Sequence, residues 1–232
     1  MKKTLFTIAL GICSMAASAQ EEVSTTISAD VVSKYVFRGM ECGKAAIQPT
    51  LGVEYKGLSL SAWGSYGITE ASDVEEFDLT LAYSVGNLTV GVTDYWFSGG
   101  ADYLHYSAHE TAHVFEANVG YDFGVASLNW YTNFAGADGC NKDGKRAYSS
   151  YVEANVPFSL GGASWDATIG AVPYATSFYQ DANGFAVTNV SLKATADVKL
   201  SEAFSLPIFA SITVNPSTEK AFFNIGATIS LK

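Results

Sequence analysis

The stretch AVTNVSLKATADVKL, residues 186–200, alternates apolar side chains such as Val190, Leu192 and Val198 with polar ones such as Lys193 and Asp197. A period of two places the two sets on opposite faces of a β-strand. The run is longer than the usual strand of about 5–6 residues. It therefore predicts a long strand with one apolar and one polar face.

The same alternation recurs along the chain and predicts twelve strands. Their approximate bounds are 23–38, 46–56, 58–67, 75–85, 88–97, 112–123, 125–134, 146–157, 162–172, 185–200, 203–214 and 219–231. The connections are alternately tight, with Gly or Asn, and longer and polar, as in bacterial outer-membrane barrels. We therefore expect an all-β fold: a transmembrane antiparallel up-and-down β-barrel of about 12 strands, with both termini at the periplasmic end.

The alternative is a soluble secreted β-sandwich, which also alternates and also uses hairpins. No stretch of the mature chain approaches the about 18–20 unbroken apolar residues of a membrane-spanning helix. Aromatic residues of the apolar phase fall near strand ends, as in the interfacial girdles of barrels. They are Tyr55, Tyr66, Phe77, Tyr83, Trp96, Phe115, Phe123, Trp130, Phe134 and Tyr148. This placement favours the barrel.

The first nineteen residues predict a secretory signal peptide. Lys2 and Lys3 precede an apolar stretch, and Ala17-Ser18-Ala19 offers a small-residue cleavage site. A lipoprotein signal with Cys13 as the lipidated residue fits less well, because Ile12 occupies a position that needs a small residue. We therefore expect a signal peptide over 1–19, a barrel domain over 20–232, and location in the outer membrane of a Gram-negative bacterium.

The charge balance bears on possible partners. The chain has 13 basic and 23 acidic residues, a net charge of −10, and loss of Lys2 and Lys3 makes it more negative. That excludes nucleic acid as a natural partner.

Cys42 and Cys140 are the mature cysteines, and a disulfide or two free thiols both remain open. No cofactor is expected. The expected partners are outer-membrane lipid, the barrel-assembly machinery, and small polar solutes or ions.

One segment resembles a known family. DVVSKYVFRG, residues 30–39, followed by Gln48-Pro49 and Gly52, resembles the opening of the TorF-type outer-membrane porin family. The resemblance covers about thirty residues and implies an outer-membrane barrel that acts as a pore.

The residues of this segment can also be assigned by phase. If the first strand runs to residue 38, alternation puts Tyr35 and Phe37 towards lipid and Lys34 and Arg38 towards the lumen. Gly39 would then let the chain turn into the first outer loop.

The polar phase collects charged residues that would line the lumen. They are the eight acids Asp30, Glu54, Asp78, Glu116, Asp122, Glu153, Asp166 and Asp197, and the five bases Lys34, Arg38, Lys56, Lys193 and Lys199. One hypothesis is a water-filled pore with a mild cation preference, since charged rings set selectivity. The alternative is an ion-paired, plugged interior in a barrel that serves ligand binding, adhesion or envelope organisation.

A loop motif raises an enzymatic alternative. His109-Glu110-Thr111-Ala112-His113 has the spacing of a zinc-protease helix, and His105 extends it. Strand alternation resumes at His113, however, so a loop metal site or a plain solvated loop is also open. A lipid-hydrolysing barrel would need a serine beside a lipid-facing histidine, but Ser127 lies on the lumen phase. We therefore expect no enzyme.

Aromatic residues also concentrate in the long loops. They are Tyr103, Tyr106, Tyr174, Phe178 and Tyr179. They could contact a ligand or fold back into the barrel mouth, and the sequence leaves both possibilities open.

Overall fold

The computed structural model describes residues 23–69, 73–107, 110–179, 182–201 and 205–231. Within these residues, fourteen strands form one closed barrel and one small sheet. The barrel wall consists of β1 (Val23–Val32), β4 (Ala46–Tyr55), β5 (Leu58–Gly67), β6 (Glu76–Val85), β7 (Leu88–Phe97), β8 (His113–Asp122), β9 (Ser127–Gly136), β10 (Ser150–Leu160), β11 (Ala163–Val172), β12 (Ala186–Lys199), β13 (Ser205–Asn215) and β14 (Lys220–Leu231). The small sheet pairs β2 (Tyr35–Phe37) with β3 (Met40–Gly43).

The wall closes through the first strand. β1 pairs antiparallel with β14 and with β4, and every other wall strand pairs with its sequence neighbours. Closure leaves no wall strand with an unpaired edge, which removes the hazard of edge-to-edge association. The prediction of an all-β, twelve-stranded antiparallel barrel is confirmed.

The two faces of the wall differ in chemistry. Outward side chains are large and apolar, and many remain exposed, for example Leu81 at 53% and Ile212 at 56%. Inward side chains on the same strands are polar: Thr80 and Thr93 share a hydrogen bond of 3.0 Å. A soluble sandwich would bury its large apolar residues between two sheets. The outward apolar belt is what a barrel needs in contact with lipid tails.

The connections differ between the two ends of the barrel. Connections 56–57, 86–87, 123–126, 161–162 and 200–204 lie at one end, which we call the short-turn end, together with the start of β1 and the end of β14. Connections 33–45, 68–75, 98–112, 137–149, 173–185 and 216–219 lie at the other, the long-loop end. The sequence had indicated this alternation.

The described residues contain no helix long and apolar enough to cross a membrane. The predicted signal peptide lies outside the described residues.

The predicted first strand requires a correction. It was expected to reach residue 38, but β1 ends at Val32 and the chain then leaves the wall. At Ser33 a side chain replaces the ladder: the Ile225 backbone NH donates to the Ser33 hydroxyl (2.9 Å), and that hydroxyl donates to Asn224 Oδ1 (3.1 Å). Residues 35–43 then form a hairpin inside the barrel. The prediction that Tyr35 and Phe37 face lipid is therefore wrong, because both line cavities within the lumen.

The apolar belt allows a test of whether the outward face of the wall contacts lipid or water. Leu81→Arg places a charge at the middle of β6 on the outward face, and we expect a loss of about 2–4 kcal/mol in the free energy of unfolding in phosphatidylcholine vesicles. Leu104→Arg, in the connection 98–112, is the control and should change it by less than about 1 kcal/mol. Urea unfolding measures both. Equal small losses would show that the outward face meets water.

Candidate functional site

The internal hairpin turns at two residues. Phe37 pairs with Met40, so Arg38 and Gly39 form a two-residue connection. Both have positive φ, 48° at Arg38 and 82° at Gly39, as a type I′ turn requires. A Cβ atom at Gly39 would lie 1.8 Å from the backbone oxygen of Thr188 on β12. Only glycine fits there, so the Phe-Arg-Gly sequence is explained by a tight turn packed against the wall.

The hairpin crosses the whole lumen. It starts at β1, and in a ring of twelve strands β9 lies six positions away, on the opposite wall. The Arg38 side chain at the tip contacts Glu116 on β8, Tyr131 on β9 and Tyr151 on β10. Asn215, at the end of β13, donates to the Gly39 carbonyl at 3.0 Å. The turn is therefore fixed between opposite walls.

A buried ion pair anchors the tip. Arg38 Nη1 donates to Glu116 Oε2 at 2.5 Å and Nη2 donates to Oε1 at 2.9 Å, a bidentate arrangement. The two side chains are 7% and 2% exposed. The Tyr95 hydroxyl donates to Glu116 Oε1 at 2.9 Å, and Arg38 Nη1 also donates to the Tyr179 hydroxyl at 2.5 Å. These added bonds satisfy groups that burial would otherwise leave unpaired.

Aromatic rings surround the guanidinium group. Its central carbon lies 4.1 Å from the ring centroid of Tyr131, 4.6 Å from that of Phe37 and 4.8 Å from that of Tyr151. Stacked rings stabilise a cation through their quadrupoles. Our sequence reasoning missed these tyrosines, although Tyr95, Tyr131 and Tyr151 all lie on the polar phase of their strands. An aromatic residue in that phase was the available signal.

Two loop aromatics complete this enclosure. Tyr179 is 1% exposed and packs edge-on against Phe178, with ring centroids 5.0 Å apart. Both belong to the connection 173–185, so this part of it folds back into the barrel mouth. Tyr103 and Tyr106 instead lie on the outward side, around His113.

The base of the hairpin carries a second, more exposed charge cluster. Lys34 and Lys44 both donate to the Glu41 carboxylate. The hydrogen bond from Lys34, followed by that from Lys44, lowers the pKa of Glu41. Ion pairs this exposed contribute little to stability. The ion pair at the tip, rather than this cluster, holds the hairpin across the lumen.

The hairpin lies between two cavities of the lumen. The first, here called the outer cavity, has about 370 Å³ and reaches Gly99 and Phe178 in the long loops. The second, the inner cavity, has about 400 Å³ and is bounded by wall residues such as Asp166 and Lys193. Tyr35 and Arg38 border both. A solute crossing the barrel would therefore have to pass the hairpin.

The structure places the candidate lumen charges as follows. Strand register puts Asp30, Glu54, Asp78, Glu116, Glu153, Asp166, Lys193 and Asp197 on the inward face of the wall, while Lys34 and Arg38 lie on the hairpin. Glu116 and Arg38 are brought together. Lys193 lies opposite Asp166, with its Nζ 4.2 Å from the Phe209 ring centroid. A role in lining a pore remains a proposal.

The histidine motif is only partly described, because His109 lies outside the described residues. His105 is exposed. His113 is fully buried under the connection 98–112: its Nδ1 lies 2.7 Å from Asp94 Oδ1 and its Nε2 lies 2.7 Å from the Tyr103 carbonyl. With both ring nitrogens engaged, His113 has none left for a metal ion or for activating a nucleophile.

The described part of the chain gives the metal hypothesis no support. In it, no three His, Cys, Asp or Glu side chains are grouped so that they could hold an ion. Cys42 and Cys140 are free thiols. The expectation that the chain is not an enzyme stays a prediction.

A closed barrel with an apolar outer belt and a polar interior defines the class: a transmembrane β-barrel protein. Residues 15–208 match the Gcw_chp family, described as a bacterial protein of unknown function, and the chain belongs to that family. The TorF-type resemblance is not tested by this match.

Comparison with solved structures gives distant likenesses. The chain is similar to a protein from work on in-meso crystallisation of membrane proteins, with 6% identity, a TM-score of 0.49, and coverage of 89% of this chain and 83% of that one. A substituted porin of Rh. blastica has 15% identity, a TM-score of 0.37, and coverage of 79% and 55%. OccK9 (OpdG) of Pseudomonas aeruginosa has 14% identity, a TM-score of 0.35, and coverage of 91% and 57%. No curated protein matches the chain.

The buried ion pair predicts a strong effect on stability. Arg38→Ala leaves the Glu116 carboxylate buried and unpaired, and we expect a loss of about 3–5 kcal/mol in the free energy of unfolding. Adding Glu116→Gln should recover part of that loss. Lys34→Ala, on the same hairpin, is the control and should cost less than about 1 kcal/mol. Denaturant unfolding of the four proteins measures these differences; equal losses for Arg38→Ala and Lys34→Ala would contradict the assignment.

Proposed function

We propose that this chain is a narrow outer-membrane channel that lets small polar solutes or ions diffuse through a lumen constricted by the internal hairpin. The observation that carries the proposal is the pair of cavities, about 370 and 400 Å³, that border the same hairpin from opposite sides. Each lies within the range of small-ligand sites, about 300–1,000 Å³. Because Tyr35 and Arg38 of the hairpin border both cavities, the hairpin would set what passes from one to the other.

The two ends of the barrel support an orientation. In bacterial outer-membrane barrels the short turns are periplasmic and the longer loops are external. The short-turn end would then face the periplasm, and the mouth that holds Tyr179 and the outer cavity would face the exterior. Outer-membrane lipid would cover the apolar belt, and the barrel-assembly machinery would insert the chain. The TorF-type resemblance, with its implied pore function, agrees with this proposal.

Charge in the inner cavity supports a mild cation preference. The wall residues at its boundary include Asp30 and Asp166 against Lys193, while on the hairpin Arg38 is paired with Glu116 and Lys34 shares Glu41 with Lys44. The wall therefore contributes one net negative charge to a confined aqueous space. Because fixed charges in a narrow pore set ionic selectivity, cations would pass more readily than anions.

A barrel without conductance is the second candidate, for ligand binding, adhesion or envelope organisation. The observation that favours it is the buried, bidentate anchoring of Arg38 to Glu116, which holds the hairpin across the full lumen. If the hairpin never moves and leaves no path beside it, the two cavities are separate pockets.

Removal of the hairpin distinguishes the two candidates. Val32 pairs directly with Ala46, so a four-residue Gly-Ser linker can replace residues 34–44 without disturbing the wall. In planar bilayers we expect small conductance steps from the parent protein and larger ones from this variant, because the constriction is gone. Lys142→Gln, in an outer loop, should behave as the parent does. Steps from the variant alone would establish the plugged barrel and end the channel proposal.

Ionic selectivity tests the inner charges. Asp30→Asn with Asp166→Asn removes two carboxylates and leaves Lys193, so the preference should shift from cations towards anions. The reversal potential in a salt gradient measures that shift. Lys142→Gln alters charge outside the lumen and should leave it unchanged. An unaltered reversal potential in the double variant would mean that ions do not pass through the inner cavity.

A further inference from the structure

The outer cavity has mainly aromatic walls. Five rings border it: Tyr35 and Phe37 on the hairpin, Tyr95 and Phe97 on β7, and Phe178 from the connection 173–185. The Phe37 and Tyr95 rings lie 6.3 Å apart, tilted by 59°. A lumen built only for ions and water would not need such walls. An apolar surface that is enclosed but not filled is suited to an organic ligand.

Carboxyl groups without a basic partner lie beside these rings. Glu76, at the start of β6, borders the cavity and is 8% exposed. Asp78 lies two residues further along the same inward face. The ion pairs found among the described residues include neither carboxylate.

Asp78 is a second buried carboxyl on this strand, next to the cavity lining, and one of its oxygens lacks a partner among the described residues. The residue is 8% exposed, and its Oδ1 atom is buried without a hydrogen-bond partner in the described structure. Buried carboxylate oxygens are normally bonded, because an unpaired one is costly. Arg38, which also borders the cavity, does not fill this role since its charge is paired with Glu116.

The residues that line the outer cavity favour one chemical class of ligand over others. A hydrated metal ion prefers several oxygen ligands, and the described residues offer no group of three acids, cysteines or histidines. An anion would be repelled by Glu76. An alkylammonium group, in contrast, is attracted by both a carboxylate and aromatic rings, and its methyl groups bury well against such rings.

We propose that the outer cavity binds a small organic cation of the alkylammonium class, with Glu76 as its counter-ion and the five rings as its walls. This inference deepens the proposed channel by naming a class of solute. Binding is measured without conductance, so a channel that conducts but does not bind, and a barrel that binds but does not conduct, are distinguishable.

The first experiment uses choline and its neutral carbon isostere, 3,3-dimethylbutan-1-ol, with calorimetric titration of the folded protein in detergent. The two probes have nearly the same shape, so the difference between them reports on charge. We expect choline to bind at least tenfold more tightly than the isostere. Glu76→Gln should weaken choline binding at least tenfold and leave the isostere unaffected.

Glu54→Gln is the matched control. It makes the same chemical change on an inward position of β4 at the short-turn end, and choline binding should stay at the parent value. Circular dichroism and heat-modifiable migration on gels verify that each variant folds. Equal affinities for choline and isostere, or equal losses for Glu76→Gln and Glu54→Gln, would overturn the proposal.

Cys42 provides a second measurement that needs no new substitution at Glu76. Its thiol borders the outer cavity and is exposed there. In a Cys140→Ser background lacking residues 1–19, Cys42 is the one remaining cysteine.

We expect a cationic methanethiosulfonate reagent to modify Cys42 at least tenfold faster than an anionic one, because the cavity concentrates cations. Choline should slow the cationic reagent, and 3,3-dimethylbutan-1-ol at the same concentration should not. Equal rates for the two reagents, or no protection by choline, would contradict a cation site in the outer cavity.

Discussion

The interior of this barrel depends on one buried ion pair, Arg38 with Glu116. Burying two charges costs free energy. The pair is stable because the guanidinium group donates to both carboxylate oxygens and tyrosine hydroxyls form further hydrogen bonds with the two groups. It joins a hairpin that begins on β1 to a strand on the far wall. Without it the hairpin tip would be held by its packing against β12 and by the bond from Asn215. The position of every other lumen group relative to the hairpin follows from this attachment.

By crossing the lumen, the hairpin also gives the two halves different chemistry. The outer half has aromatic walls and the carboxyl group of Glu76, whereas the inner half is lined by amides, hydroxyls and charges of both signs, such as Asn155, Ser211 and Lys193. A uniform pore would show the same kind of wall throughout. The difference suits a barrel that selects its solutes at the mouth. Any passage of a solute beyond the mouth would then depend on the polarity of the inner half.

Alternation in the sequence was enough to predict the wall. A side-chain period of two is a local property, so the bounds of β4, β7 and β12 lie within one or two residues of those expected. It could not reveal the hairpin, because residues 33–38 alternate in the same way whether they continue a wall strand or form a separate sheet. The deciding contacts join Ser33 to Asn224 and Arg38 to Glu116, residues 191 and 78 positions apart. Contacts between residues so far apart in the sequence cannot be predicted from a local alternation of polar and apolar residues.

The partner of Ser33 also constrains the order of assembly. Asn224 and Ile225 belong to β14, the last strand of the wall, so the bonds of Ser33 to these two residues cannot form until the ring closes. Val32 and Ala46 can pair before that, because their pairing involves only the first two wall strands. These bonds at the base are therefore made last. Until β14 joins β1, the hairpin is held by its other contacts, such as that of Arg38 with Glu116, and closure of the ring adds the bonds at its base.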